Sequence, residues 1–132
     1  MNSTNEFSFV LKPSAHGVGV FVTHDIAEGT KLRLFIEEDQ IRSKDSVPEA
    51  FLGFCIDRGD TVITPRDFGH LSVGWYMNHS SNPNVVRCGS NQETHGIQWC
   101  ARRNIKAGEE ILADYNQLEE PEEAKKDYYR NT

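Results

Sequence analysis

The sequence has no apolar run near the roughly 18 residues that a membrane span needs. Its first residues, Met1-Asn2-Ser3-Thr4-Asn5-Glu6, lack the basic and then apolar segments of a secretory leader. An intracellular protein is expected, cytoplasmic or, in a eukaryotic source, nuclear, with no membrane partner. Cysteine is scarce: Cys55, Cys88 and Cys100 are an odd number without C-x-x-C spacing. That pattern predicts reduced, packed thiols and argues against a zinc site or a disulfide scaffold. His16, His24, His70, His79 and His95 are scattered and form no H-x-x-x-H pair, so no metal site is expected. Positive charge is also in deficit, with 14 Lys and Arg against 20 Asp and Glu and a formal net charge of -6. Nucleic-acid backbones are gripped by basic patches, so no direct nucleic-acid partner is expected. An acidic protein instead steers a basic partner towards itself.

With those classes set aside, 132 residues of 37% hydrophobic composition describe one domain able to bury a core. The apolar segments are short and separated by turn signals, which predicts a mainly β domain. Strands are expected at 7–11, 18–22, 31–36, 61–64, 84–87 and 97–102, the last alternating with Ile97, Trp99 and Ala101 on one face. Residues 48–54 read as a short helix with proline in its first turn. From Pro121 a second helix is expected, carboxylates leading and Lys125, Lys126 and Arg130 following, with Glu122 paired to Lys126. An internal echo relates Asp25-Ile26-Ala27-Glu28-Gly29 to Asn104-Ile105-Lys106-Ala107-Gly108. Each copy should make the same tight turn, with its glycine at positive φ.

Three constellations carry possible chemistry. In Gly17-Val18-Gly19 two glycines let backbone approach a ligand closely, although by itself such a pair is more often a bulge or turn. In Gly74-Trp75-Tyr76-Met77-Asn78-His79-Ser80-Ser81-Asn82-Pro83-Asn84 an aromatic pair precedes a run of hydrogen-bonding residues. Turn chemistry explains the second half alone. The apolar half calls for burial, and buried amides, imidazoles and hydroxyls need partners in the protein or on a ligand. In Gly108-Glu109-Glu110-Ile111-Leu112-Ala113-Asp114-Tyr115 a turn leads into a short strand that delivers an acid and a phenol. Their structural roles would be a cap for Asp114 and a core edge for Tyr115.

Together and in this order, the three resemble the signature of the SET-domain protein-lysine methyltransferases: G-x-G at Gly17 to Gly19, N-H-S-x-x-P-N at Asn78 to Asn84, and G-E-E-[LI]-x-x-D-Y at Gly108 to Tyr115. The resemblance spans about residues 7–116. It implies a SET-domain β-clip fold of small sheets over residues 1–118, with a C-terminal pseudoknot in which the last motif threads under the middle one, and a helical tail at 119–132. It implies S-adenosylmethionine as cofactor, bound by Gly17, Val18, Gly19, Tyr76, Asn78 and His79, and Tyr115 as the catalytic tyrosine at the mouth of a narrow lysine channel. Asp114 and Ser80 would brace the knot. The implied partner is a basic, lysine-containing protein or peptide.

The sequence departs from that pattern in places. Trp75-Tyr76 stands where many relatives carry Arg-Phe, and Ser81 where a cysteine is common. Residues 116–132 hold no cysteine to bind zinc and complete the channel, so the C-terminal segment with Leu118, Tyr128 and Tyr129 is expected to close it, unless the two tyrosines pack on the sheet instead. Two alternatives stay open: a non-catalytic relative that binds the cofactor or a basic peptide, and a β-clip binding domain of another kind.

Overall fold

A computed structural model describes the chain except at residues 1, 2, 6, 16, 36–39, 70, 92–95, 119 and 130–132, with backbone alone at 89–91, 96 and 97. Four small sheets surround one core. Strands β1 (Phe9–Ser14) and β2 (Gly17–Val22) form an antiparallel ribbon. β1 continues through Lys12-Pro13, past its expected end. As an edge strand it loses no ladder bond to the proline's missing N–H. β3 (Lys31–Leu32) is shorter than expected, because the chain leaves the sheet to bury Leu34, whose carbonyl accepts from Gly74 N–H at 2.8 Å. Ile36, the expected end of that strand, lies outside the described residues.

β4 (Gln40–Ser43), β5 (Ile56–Asp57) and β6 (Thr61–Thr64) make a second sheet with β6 in the middle. Between β4 and β5 the expected helix is a 3-10 helix, Glu49–Phe54, preceded by Pro48. β7 (Asn78–His79) pairs in parallel with β10 (Leu112–Ala113). β8 (Val85–Asn91) and β9 (Gly96–Ala101) complete the third sheet, ordered β3-β9-β8. Trp99 and Ala101 are buried as expected, and so is Cys100 on the opposite face. The Ile97 side chain lies outside the described residues.

The thiol expectation fails for two of the three cysteines: Cys88 and Cys100 form a disulfide, and Cys55 alone is free. Spacing did not foretell the bond. The β8–β9 hairpin, with a register shift between Arg87 and Ser90, folds residues 12 apart in sequence to a Cα separation of 5.7 Å.

The echo turns find each other. Ile26 and Ile105, both buried, exchange backbone bonds of 2.7 and 2.8 Å. Reciprocally, Asn104 Oδ1 accepts from Glu28 N–H and Asp25 Oδ1 from Ala107 N–H, each at 2.8 Å. Gly29 and Gly108 lie at φ 85 and 90, as the tight turn requires.

Among the described residues the tail after Pro121 holds a 3-10 turn, Glu122–Ala124, and a turn at 127–129 in place of a longer helix. Lys125 therefore reaches Glu122 (2.8 Å), three residues back, where the longer helix would have supplied Lys126. A straight helix would carry Tyr129 about 13 Å from Glu120 at ~1.5 Å per residue. The two are instead joined, Tyr129 Oη donating to Glu120 Oε1 at 2.7 Å. Arg130 of that expected helix lies outside the described residues.

Candidate functional site

The polar knot at 78–84 is built by crossing two segments. Beyond the β7–β10 ladder, Ser80 N–H donates to Ala113 C=O (2.9 Å) and Asn84 N–H to Leu112 C=O (3.1 Å). The buried Asn84 side chain continues the stitching: Nδ2 donates to Glu110 C=O (2.8 Å) and Oδ1 accepts from Leu112 N–H (2.9 Å). The last motif thus runs through a collar formed by the middle one.

On one side of the crossing lies the Gly17–Gly19 strand. Asn78 Nδ2 donates to Val18 C=O and Ser14 Oγ, both at 3.1 Å, and to Glu110 Oε2 at 2.8 Å. Gly19 is packed so tightly that an added Cβ would lie 2.3 Å from Glu110 Oε2. Gly17 takes φ 104, which other residues rarely adopt. His16, which precedes that motif, lies outside the described residues.

On the other side stands Tyr115. Its backbone N–H donates to His79 Nδ1 at 3.0 Å, and its hydroxyl donates to Met77 C=O at 2.5 Å. Burial, then the neighbouring Tyr128 and Tyr129 and the carboxylates Glu110 and Glu120, hold the phenol well above its ordinary pKa. Tyr115 is therefore a neutral phenol with a fixed hydroxyl, and not a base. Its ring centroid lies 5.2 Å from both His79 and Tyr129, and Tyr128 closes the cluster at 6.3 Å.

The same tyrosine lines a cavity of about 140 Å³ with Phe35, Phe54, Trp75, Trp99 and Leu118. At ~30 Å³ per water that is room for four or five waters, or for one unbranched side chain. Trp75 meets Phe35 edge-on at 5.6 Å, so the residue standing in for arginine forms an aromatic wall. Leu118 takes part in that wall, whereas Tyr128 and Tyr129 meet Tyr115 edge-on and His79 edge-on and tilted, respectively. The tail is tied down by Arg58 donating to Leu118 C=O, Asp57 N–H to Glu120 Oε2 (2.9 Å), and Asn116 Nδ2 to Tyr129 C=O (2.9 Å).

Of the residues singled out in the sequence, Val18, Gly19 and Asn78 meet around Glu110, and His79 meets Tyr115. Tyr76 is half-buried against the core, and its hydroxyl joins no hydrogen bond among the described residues. Glu110, Ser14 and the cavity residues Phe35, Phe54 and Trp99 were not foreseen. Phe35, Phe54 and Trp99 come from separate segments, and no local pattern links them.

His79 is held below its ordinary pKa by burial, against an opposing influence from Asp114 and the Ala113 backbone. Its 3.9 Å approach to Asp114 is thus no ion pair at neutral pH, since Nδ1 is accepting from Tyr115 N–H. A depressed histidine pKa means that the unfolded chain binds the proton first on acidification. Stability should be full above about pH 6.5, the unfolded value, and fall as pH drops through the folded value. The expected result is a melting temperature that declines over that range, with the decline reduced in His79→Asn. Parallel pH profiles for the two proteins would remove His79 from this role.

The arrangement, a glycine-bearing strand bonded to Asn78 and an aromatic cavity lined by Tyr115, joined by a threaded knot, defines a protein of the SET-domain class. Residues 17–116 match the SET domain family, and the chain belongs to it. A curated relative, "Putative histone-lysine N-methyltransferase 1" of Plasmodium falciparum (isolate 3D7), is 29% identical over 125 residues. The match covers 86% of this chain and 2% of that protein, so the chain spans a small fraction of the relative's length. Among solved structures, the "Plasmodium falciparum putative histone methyltransferase PFL0690c" superposes with a TM-score of 0.61 at 19% identity, covering 82% of this chain and 92% of that one. A humanized mutant of the Chaetomium thermophilum Polycomb Repressive Complex 2, bound to the inhibitor GSK126, gives 0.62 at 24%, covering 83% and 15%. Both structures share the fold.

Proposed function

We propose that the protein transfers a methyl group from S-adenosylmethionine to the side-chain amine of a lysine in a basic protein or peptide. The observation that carries this reading is the position of Tyr115, which lines the aromatic cavity with its ring and is tied through Met77 and His79 to the segment holding Asn78. S-adenosylmethionine, when bound, supplies an electrophilic methyl group on a cationic sulfur.

The cofactor's donor and acceptor groups fit what the chain offers. Asn78 Oδ1 has no donor among the described residues, and Glu110 adds a carboxylate beside it, a pairing suited to a cationic amine. In this reading Gly17, Val18 and Gly19 face the cofactor from the opposite side, and His79 and Tyr76 complete its binding surface.

The substrate amine must be neutral to react, yet free lysine has a pKa of about 10.4, leaving roughly one molecule in a few thousand deprotonated at pH 7. An aromatic cavity disfavours the ammonium form. Alignment and exclusion of water then supply most of the rate, with no metal or nucleophilic side chain required. The net charge of -6 favours substrates whose target lysine lies in a basic segment, histone tails among them. The histone-methyltransferase names of the similar proteins support that substrate class.

The test is labelled-methyl transfer from the cofactor to a panel of basic proteins, with the modified residue located by mass spectrometry. Label on lysine is the expected result. Cofactor binding without transfer to any of them would favour a non-catalytic module, and absence of binding by calorimetry would overturn the reading. Asn78→Ala should weaken cofactor binding by about 1–3 kcal/mol, as buried polar groups of the ligand lose a partner. Unchanged affinity would take Asn78 out of the site.

A further inference from the structure

On one side Asn78 meets two groups that can only accept, and a hydroxyl. Its amide faces Ser14 Oγ, Val18 C=O and Glu110 Oε2, all within 3.1 Å. A carbonyl and a carboxylate cannot donate, so only the NH2 end of the amide can point there. Glu110 makes the shortest of the three contacts, 2.8 Å, and brings the formal charge. The opposite oxygen, Asn78 Oδ1, is thereby turned away from the strand, and neither it nor Glu110 Oε1 meets a donor among the described residues.

The carboxylate is itself placed with care. The peptide group between Glu110 and Ile111 is fixed at both ends: its carbonyl accepts from Asn84 Nδ2, and its N–H donates to Val20 C=O at 2.7 Å. Its side chain lies against the bare Cα of Gly19, in space that any larger residue would close. The second glycine of the Gly17–Gly19 motif therefore admits the carboxylate of another segment, in addition to whatever ligand approaches the strand.

We propose that Glu110 is a positioning residue for recognition of the cofactor's amine: with Val18 C=O it holds the Asn78 amide with Nδ2 inward and Oδ1 outward, and it adds its own charged oxygen to the one Asn78 presents to a cationic amino group. This rests on the cofactor reading above and adds a cause for the polarity of the site. An unlocked amide would offer NH2 as often as oxygen to the ligand, and a donor facing an ammonium repels it. The carboxylate also fixes which end of a zwitterionic amino acid faces Asn78, since it attracts the ammonium and repels the α-carboxylate.

Glu110→Gln is nearly isosteric; it removes the negative charge and the shorter of the two acceptor-only contacts, leaving Val18 C=O alone to hold the Asn78 amide. The test is calorimetric binding of two ligands to the wild type and this variant. S-adenosylhomocysteine carries the amino-acid portion, and 5′-methylthioadenosine lacks it. The variant should bind S-adenosylhomocysteine about ten- to a hundredfold more weakly, the size of a lost charged hydrogen bond. Binding of 5′-methylthioadenosine should stay within about twofold, which also reports that the variant is folded. Equal S-adenosylhomocysteine affinity in both proteins would overturn the proposal while leaving the cofactor reading intact. Equal weakening of both ligands would also overturn it, by assigning Glu110 a purely structural part. A wild type that binds neither ligand would overturn the proposal and the cofactor reading together.

Discussion

Tyr115→Phe is expected to reduce methyl transfer by about a hundredfold or more while cofactor affinity stays within a few-fold. The substitution deletes one oxygen and leaves the ring, so its tilted contact with His79 and edge-on contact with Tyr129, each at 5.2 Å, survive. What disappears is a hydroxyl whose direction is set by donation to Met77 C=O and whose proton is retained because burial and nearby carboxylates raise its pKa. With its proton committed to a backbone carbonyl, the phenol oxygen has lone pairs to orient an amine at the mouth of the aromatic cavity. In the proposed reaction it would orient the amine and not deprotonate it. Misplacement of a reacting group by about 1 Å can cost roughly a hundredfold in rate, which sets the scale. Single-turnover measurements separate this from binding, and the loss should fall on the transfer step. Near-normal turnover in Tyr115→Phe would dismiss the role given to this residue.

The residues behind that prediction differ in how openly the sequence displayed them. Asn78, His79 and Tyr115 stood in motifs dense enough to be read together, and the echo around Gly29 and Gly108 foretold two turns of one type. The strands were legible where short apolar runs lay between turn signals, at β2 and β6, and where apolar residues alternated, at β9. Illegible features were those decided by pairing across the chain. Whether Cys88 lies beside Cys100 depends on a register shift in a hairpin, which residue spacing does not reveal. The tail carried the charge order of a helix, yet long-range bonds from Asn116 and Glu120 to Tyr129 outweigh that weak local preference. The cavity was hidden for the same reason, since Phe35, Phe54 and Trp99 converge from three distant segments. Glu110 lay in plain view inside a motif, but its partner Asn78 is 32 residues away and the glycine that admits it lies further still.

Three asparagines share the motif 78–84, and physical context gives them three different consequences. Asn84→Ala should destabilise the protein by about 2–5 kcal/mol. Asn84 is 2% exposed, and its side chain serves two backbone groups of the threaded segment at once, the carbonyl of Glu110 and the N–H of Leu112. Alanine would leave both without that partner, and each unsatisfied buried group costs about 1–3 kcal/mol. Aspartate should not rescue it, because a carboxylate can still accept from Leu112 N–H but faces the Glu110 carbonyl with no donor. Asn82, two residues earlier, is exposed and its side chain makes no hydrogen bond among the described residues. Asn82→Ala should therefore change stability by no more than about 0.5 kcal/mol. Urea unfolding distinguishes them: the midpoint should drop for Asn84→Ala with an unchanged slope, and stay put for Asn82→Ala. A loss below about 1 kcal/mol at Asn84 would mean that the β7–β10 ladder alone holds the crossing. The full loss would identify Asn84 as the side chain that keeps Tyr115 threaded beneath the loop carrying Asn78 and His79.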